Sequence, residues 1–160
     1  MAHITIEYVI MLPVLILQIF LFPLTASWLM NIWVDSRRTL ALQEVASHLG
    51  STIQQLYFSL NHETISVDTI VTYSPGLPPF IENYYYTANA TLRAVSGSAN
   101  ASKVLKITLT LAKTKFSVTT SVILGSNVLW KPSVFVSNST NAIVSAEKCL
   151  NGTIRLYFGG

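Results

Sequence analysis

Across residues 4–34 the chain carries one charged side chain, Glu7. A lone carboxylate in an apolar helix costs about 2.5–3.5 kcal/mol on membrane insertion unless it is paired or lies near the interface. Such a group marks a functional position by default, and the chemistry it offers is ion pairing. The other ionisable groups do not converge. The histidines are His3, His48 and His62, and the acids after Asp35 are Glu44, Glu63, Asp68, Glu82 and Glu147. His62 and Glu63 are adjacent and lack the HExxH spacing of a zinc protease. There is no glycine-rich phosphate loop and no GxSxG elbow. Cys149 stands alone, which excludes an internal disulfide framework, and it reads as a small buried residue. No catalytic, cofactor or metal site is expected, and the chain is not expected to be an enzyme.

A second group of residues could be modified. Asn-x-Ser/Thr sequons occur at Asn89, Asn100, Asn138 and Asn151, all in the C-terminal part, while Asn31 in the apolar segment is not in one. This distribution favours extracellular display, with N-linked glycans on exposed turns or strand edges. The net charge of +3 is scattered. Lys103/Lys106 and Lys113/Lys115 read as a solvated face, so no specific nucleic-acid partner is expected.

Two unlike parts must position these residues. Of 160 residues, 51% are hydrophobic and 11% charged, and the apolar excess is concentrated at the N-terminus. About 30 apolar residues make a helix of roughly 45 Å, longer than the roughly 30 Å hydrocarbon core of a bilayer. The segment is long enough to span with tilt, or to form the core of an assembly, and too long for an ordinary secretory signal. Pro13 and Pro23 each remove a backbone donor, so kinks or local melting are expected there. Leu42, Val45, Leu49, Ile53, Leu56 and Leu60 then recur at intervals of three and four, with Gln43, Ser47, Ser51 and Gln54 opposite. Such a stripe packs a helix on a sheet. Residues 1–60 therefore read as one hydrophobic-then-amphipathic helix.

Residues 61–160 read as a β-rich outer domain. Alternation over 65–72, tyrosines at 84–86, and segments 88–95, 104–111, 116–124, 128–136 and 154–158 give five or six strands rich in Val, Ile, Thr and Tyr. The Ser-Pro-Gly-Leu-Pro-Pro stretch at 74–79 and the Ser-Gly-Ser-Ala-Asn stretch at 96–100 are connections. No gap is long enough for a helix, so the expected fold is α+β: a long kinked N-terminal helix followed by an antiparallel sheet or small sandwich. Tyr84, Tyr85 and Tyr86 could form an aromatic sugar platform. Alternation sends Tyr85 to the opposite face from its neighbours, which favours core packing.

The N-terminus, Ala2-His3-Ile4-Thr5-Ile6-Glu7-Tyr8 followed by an apolar run, resembles the processing region of archaeal type IV pilins. The resemblance implies a prepilin-peptidase cut after Ala2, a hydroxyl at Thr5 and a Glu-Tyr pair at Glu7 and Tyr8. His3 departs from the glutamine common just after the cut. The interval from Glu7 to Pro13, with Leu12-Pro13-Val14-Leu15, also resembles TadE-like pseudopilins. The likeness covers residues 2–30 and implies a type IV pilin-like fold. It further implies that the Glu7 carboxylate meets the N-terminal amine of a neighbouring subunit.

One signal points the other way. Arg37 and Arg38 follow the apolar segment and nothing basic precedes it, so the positive-inside tendency alone places the β-domain in the cytoplasm. A leader of Met1-Ala2 lacks the Lys or Arg of pilin precursors, so either a longer leader precedes it or both residues are retained. The sequons and Ser/Thr-rich surface favour the outside. The expected function is a structural subunit of an extracellular filament that partners with itself, is membrane-inserted as a precursor, and is handled by a prepilin peptidase and assembly machinery. The alternatives are a single-pass minor pseudopilin and a surface-binding ectodomain that does not polymerise. Trp28 and Trp33 would suit the interfacial belt of a membrane anchor.

Overall fold

The computed structural model describes residues 2–95 and 101–159, with side chains from Val9 onward. Its elements are helix α1 (Ala2–Leu60) and strands β1 (Thr69–Tyr73), β2 (Tyr86–Ala94), β3 (Lys103–Leu111), β4 (Ser117–Leu124), β5 (Val128–Trp130), β6 (Val134–Val136), β7 (Ile143–Lys148) and β8 (Ile154–Gly159). The fold is α+β. Two compact units are present, Met1–Arg37 and Arg38–Gly160.

The first unit is helical throughout its described length, and the local melting expected at the prolines does not occur: α1 continues through Pro13 and Pro23. Each proline still deprives the carbonyl four residues earlier, at Val9 and Ile19, of its intrahelical donor. The Thr25 hydroxyl donates to the carbonyls of Leu21 (3.0 Å) and Phe22 (2.9 Å) and so satisfies itself within the helix.

The second unit joins the last turns of α1 to two four-stranded sheets, ordered β1-β7-β8-β5 and β4-β3-β2-β6. The expected stripe is the helix's buried face: Leu42, Val45, Leu49, Ile53, Leu56 and Leu60 all lie in the core, joined by Ala46 and Tyr57. Strand β3 shows the period of two, with Leu105, Ile107, Leu109 and Leu111 buried and Lys106 and Thr110 exposed. Both sheets and the helix stripe feed one hydrophobic core.

Four details differ from the sequence expectation. The first strand starts at Thr69, because Asp68 takes a left-handed backbone (φ 65°) that ends any extended run from Ile65. Residues 128–136 form two strands in different sheets. Pro132 cannot donate to a ladder, and at this corner the Ser133 hydroxyl accepts from Phe158 N–H (2.8 Å) and donates to the Lys131 carbonyl (2.9 Å). β5 pairs with β8 in parallel, whereas the other strand pairs are antiparallel. β7, absent from the expectation, lies between β1 and β8, with Val144, Ser145 and Ala146 buried.

The end of α1 is held by polar contacts. Tyr57 donates to Asn127 Oδ1 (2.7 Å), while Asn127 Nδ2 donates to Asn61 Oδ1 (2.8 Å) and the Gly152 carbonyl (3.3 Å). Lys148 Nζ donates to the carbonyls of His62 and Ile65, each at 2.9 Å, placing a cation just past the helix C-terminus. A Cβ at Gly125 would fall on the Tyr57 hydroxyl, so glycine is required beside this hub. Asn127→Ala removes three hydrogen bonds and leaves the hydroxyl of buried Tyr57 without its acceptor. We expect a loss of about 2 kcal/mol, read as a lower denaturation midpoint at unchanged slope.

Candidate assembly interface

Every residue from 9 to 33 is exposed, and this stretch is almost wholly apolar. The exposed side chains include Val9 (72%), Phe22 (76%) and Leu24 (67%). α1 is long and apolar enough to cross a membrane. Near the end of the apolar stretch, Trp28 and Trp33 are exposed, and the Arg37 guanidinium lies 4.8 Å from the Trp33 ring centroid. Around Pro23 the helix surface carries a groove of about 640 Å³. The side chains of the processing and pairing residues Ala2, His3, Thr5, Glu7 and Tyr8 lie outside the described residues.

Arg38 opens the second unit. Its Nε donates to Glu82 Oε2 at 2.6 Å, and its guanidinium lies 5.9 Å from the ring centroids of Tyr84 and Phe116. Glu82 and Asn83 both take positive φ (46° and 70°) in a tight turn closed by paired bonds between Ile81 and Tyr84, each 2.9 Å. The ion pair thus secures a glutamate in a backbone region that disfavours it. Arg38 has a packing reason to be where it is, apart from any topological signal.

The sequons fall on different local structures. Asn89 is exposed on β2, opposite Thr108 of β3 and Val134 of β6. Asn138 is exposed in the turn after β6. Asn151 is exposed in the turn before β8, where its Oδ1 accepts from Thr153 N–H (3.1 Å) and Oγ1–H (2.6 Å). Asn100 lies outside the described residues.

No family model matches the chain, and neither does any curated protein or solved structure. The architecture, one long apolar N-terminal helix followed by a β-domain, is compatible with that of pilins.

Three other candidates resolve into packing. Tyr86 is fully buried and donates its hydroxyl to the Pro78 carbonyl (2.8 Å), and Tyr84 packs against the core, so the tyrosines form no flat platform. Cys149 is free and half-buried, not the fully buried residue expected, because it sits in the turn between β7 and β8. Lys103 is not simply solvated, since its Nζ donates to the Val128 carbonyl at 2.8 Å. Among the described residues no three His, Cys, Asp or Glu side chains converge on a possible metal position. Asn127 and the hydroxyls of Ser133 and Ser137, which stitch the loops, carry no periodic signal; only the Gly-Ser-Asn turn composition at 125–127 hints at one of them.

Burial raises the Tyr86 pKa from 10.0 to about 12. Below pH 10 the phenol is protonated in folded and unfolded chains alike. Above it the unfolded chain loses the proton first, so stability falls as pH rises from 10 to about 12. The expected loss is on the order of 2 kcal/mol. Denaturation series at stepped alkaline pH check this, because Tyr86→Phe should have a shallower decline over the same window.

Proposed function

We propose that the chain is a structural subunit of an extracellular type IV pilus-like filament, acting by polymerisation and not by catalysis. The observation that supports this is the exposed apolar run at residues 9–33. By helix dimensions it presents roughly 1,000 Å² or more, against the few hundred Å² that soluble monomers expose in one patch. Packing many such helices side by side removes that surface from water and leaves the β-domains as an outer wall. Before assembly the same segment would sit in the membrane. A prepilin peptidase acting after Ala2 and a pilus assembly machinery are the implied partners.

Electron microscopy of shed surface material, with peptide mass identification, tests the reading. The expected result is filaments containing this chain, of a mass raised by glycans on at least two of Asn89, Asn100, Asn138 and Asn151. Glycans there would add hydrophilic bulk to an exposed sheet face at Asn89 and to the turns at Asn138 and Asn151. Recovery of the chain only in membrane fractions, with no filaments, would overturn it. The bare polypeptide mass from a glycosylating host would count against extracellular display. A second reading, a membrane-anchored minor pseudopilin or ectodomain, is favoured by Trp28 and by Trp33 beneath Arg37, an arrangement suited to a headgroup boundary.

A further inference from the structure

Within the apolar stretch the Gln18 amide, with two N–H donors and a carbonyl acceptor, has no hydrogen-bond partner among the described residues; the Ser27 hydroxyl, six residues before Trp33, is likewise unpartnered but offers a single donor. Thr25, seven residues on, is already satisfied by the Leu21 and Phe22 carbonyls. Asn31 lies two residues from Trp33, close enough to a membrane boundary to find water. Gln18 lies fifteen residues from Trp33, about 22 Å along the helix, which leaves it about 8 Å short of the far boundary of a hydrocarbon layer roughly 30 Å thick. A primary amide there needs a partner that neither lipid nor water supplies.

The complementary group lies one residue away. Pro23 has no N–H, so the Ile19 carbonyl lacks its intrahelical donor. Gln18, Ile19 and Pro23 line the same groove of about 640 Å³, together with Leu15, Phe22 and Thr25. Gln18 cannot reach its own Ile19 carbonyl, because helical side chains lean toward the N-terminus while carbonyls point toward the C-terminus. The donor of one copy and the acceptor of another can meet, and the contact uses different groups on the two partners. Such a heterologous contact leaves a free donor and a free acceptor at its two ends, so it extends into an open helical array wherever the rotation between copies does not close a ring.

We propose that the Gln18 amide of one subunit donates to the Ile19 carbonyl of a neighbouring copy, and that this bond fixes the axial register of the helices. The proposal rests on the filament reading and names the contact that such a filament would use. A buried polar group on an otherwise apolar seam is the best-attested device for setting register between helices.

The test compares wild-type, Gln18→Leu, Pro23→Ala and doubly substituted filaments, measuring the subunit released at fixed temperature and detergent concentration. Gln18→Leu removes the donor. Pro23→Ala returns an N–H to the Ile19 carbonyl and so removes the free acceptor. Each should raise released subunit about three- to tenfold, and the double variant should release no more than either alone. The sign for Pro23→Ala is decisive, since replacing a mid-helix proline otherwise strengthens the helix. Filaments from Pro23→Ala that are unchanged or tighter, or additive effects in the double variant, would overturn the proposal. Gln18→Asn, whose amide is one methylene too short, should behave like Gln18→Leu and covers failure of the leucine variant to express. A wild-type filament map must also show the Gln18 amide about 3 Å from a neighbour's Ile19 oxygen; an amide facing lipid, a lumen or its own helix removes the proposal. Absence of wild-type filaments would remove the filament reading and this contact together, whereas intact variant filaments would remove the contact alone.

Discussion

Phe135→Ala should lower the stability of the β-domain by about 3–5 kcal/mol, the largest effect expected of a single truncation in its core. Phe135 is 1% exposed and stands on β6, in the β4-β3-β2-β6 sheet. Its ring centroid lies 6.5 Å from Tyr86, on the neighbouring strand β2, and 5.7 Å from Phe158 on β8 of the other sheet. Phe158 in turn meets Trp130 edge-on at 4.9 Å. The ring therefore belongs to an aromatic seam joining the two sheets on either side of the Lys-Pro-Ser corner. Removing it opens a cavity that β6, only three residues long, can close only by pulling away from β2. Two controls separate this from general sensitivity. Tyr86→Phe keeps the ring and loses one hydrogen bond, about 1 kcal/mol. Trp130→Phe keeps an aromatic against Phe158 and removes an indole N–H that is buried without an acceptor, so its net effect should be small. Chemical denaturation of the detergent-solubilised chain, followed by near-UV circular dichroism, ranks the three. A Phe135→Ala loss near that of Tyr86→Phe would show that the seam does not hold the sheets together.

How much of this was legible depends on whether the determinant is local. The helix stripe at Leu42, Val45, Leu49, Ile53 and Leu56 and the alternation in β3 are periodic, and both were readable to within a residue or two. β7 was not, because Ser-Ala-Glu-Lys within it has weak strand propensity. That segment is a strand because β1 and β8 flank it, β8 pairing along its whole length and β1 with all of it but Ile143. The start of β1 hinged on a single left-handed residue, Asp68, which alternation cannot reveal. The switch of sheet after Trp130 was half visible: Pro132 announces a break, but not that β6 joins a different sheet.

The candidate site divides in the same way. Glu7 and the prolines stand out by residue type against an apolar background. The Arg38–Glu82 pair joins residues 44 apart, and nothing in either neighbourhood selects the other. Gln18 is not legible in the sequence, because an uncharged amide barely disturbs hydropathy. Its significance appears only once Thr25 is seen to be satisfied and Gln18 is not.

Glu7→Gln is expected to abolish or sharply reduce filament yield. In a bundle of apolar helices the carboxylate would lie where water is scarce, so it must pair or take up a proton, since desolvation raises a carboxyl pKa. The resemblance to pilins supplies the first partner, the N-terminal amine of a neighbour; His3 is the second, and the hydroxyls of Thr5 and Tyr8 follow. Glutamine preserves shape and hydrogen-bonding capacity but not charge. Breaking one side of a buried ion pair typically costs about 3–5 kcal/mol, and in a polymer that cost recurs at every subunit. Leu42→Met changes a buried residue of the other unit with little change in volume and should leave assembly intact, so a shared loss would indicate misfolding. The Gln18 contact is separable from this one, because it contributes an uncharged bond and a graded release of subunit, whereas loss of the Glu7 charge should act before any filament forms. Electron microscopy counts of filaments per cell, alongside immunoblots of membrane-held precursor, distinguish the cases. Normal filament numbers from Glu7→Gln cells would show that the charge is dispensable, and Glu7 would then be a residue of the membrane boundary, with no pairing role in the assembly.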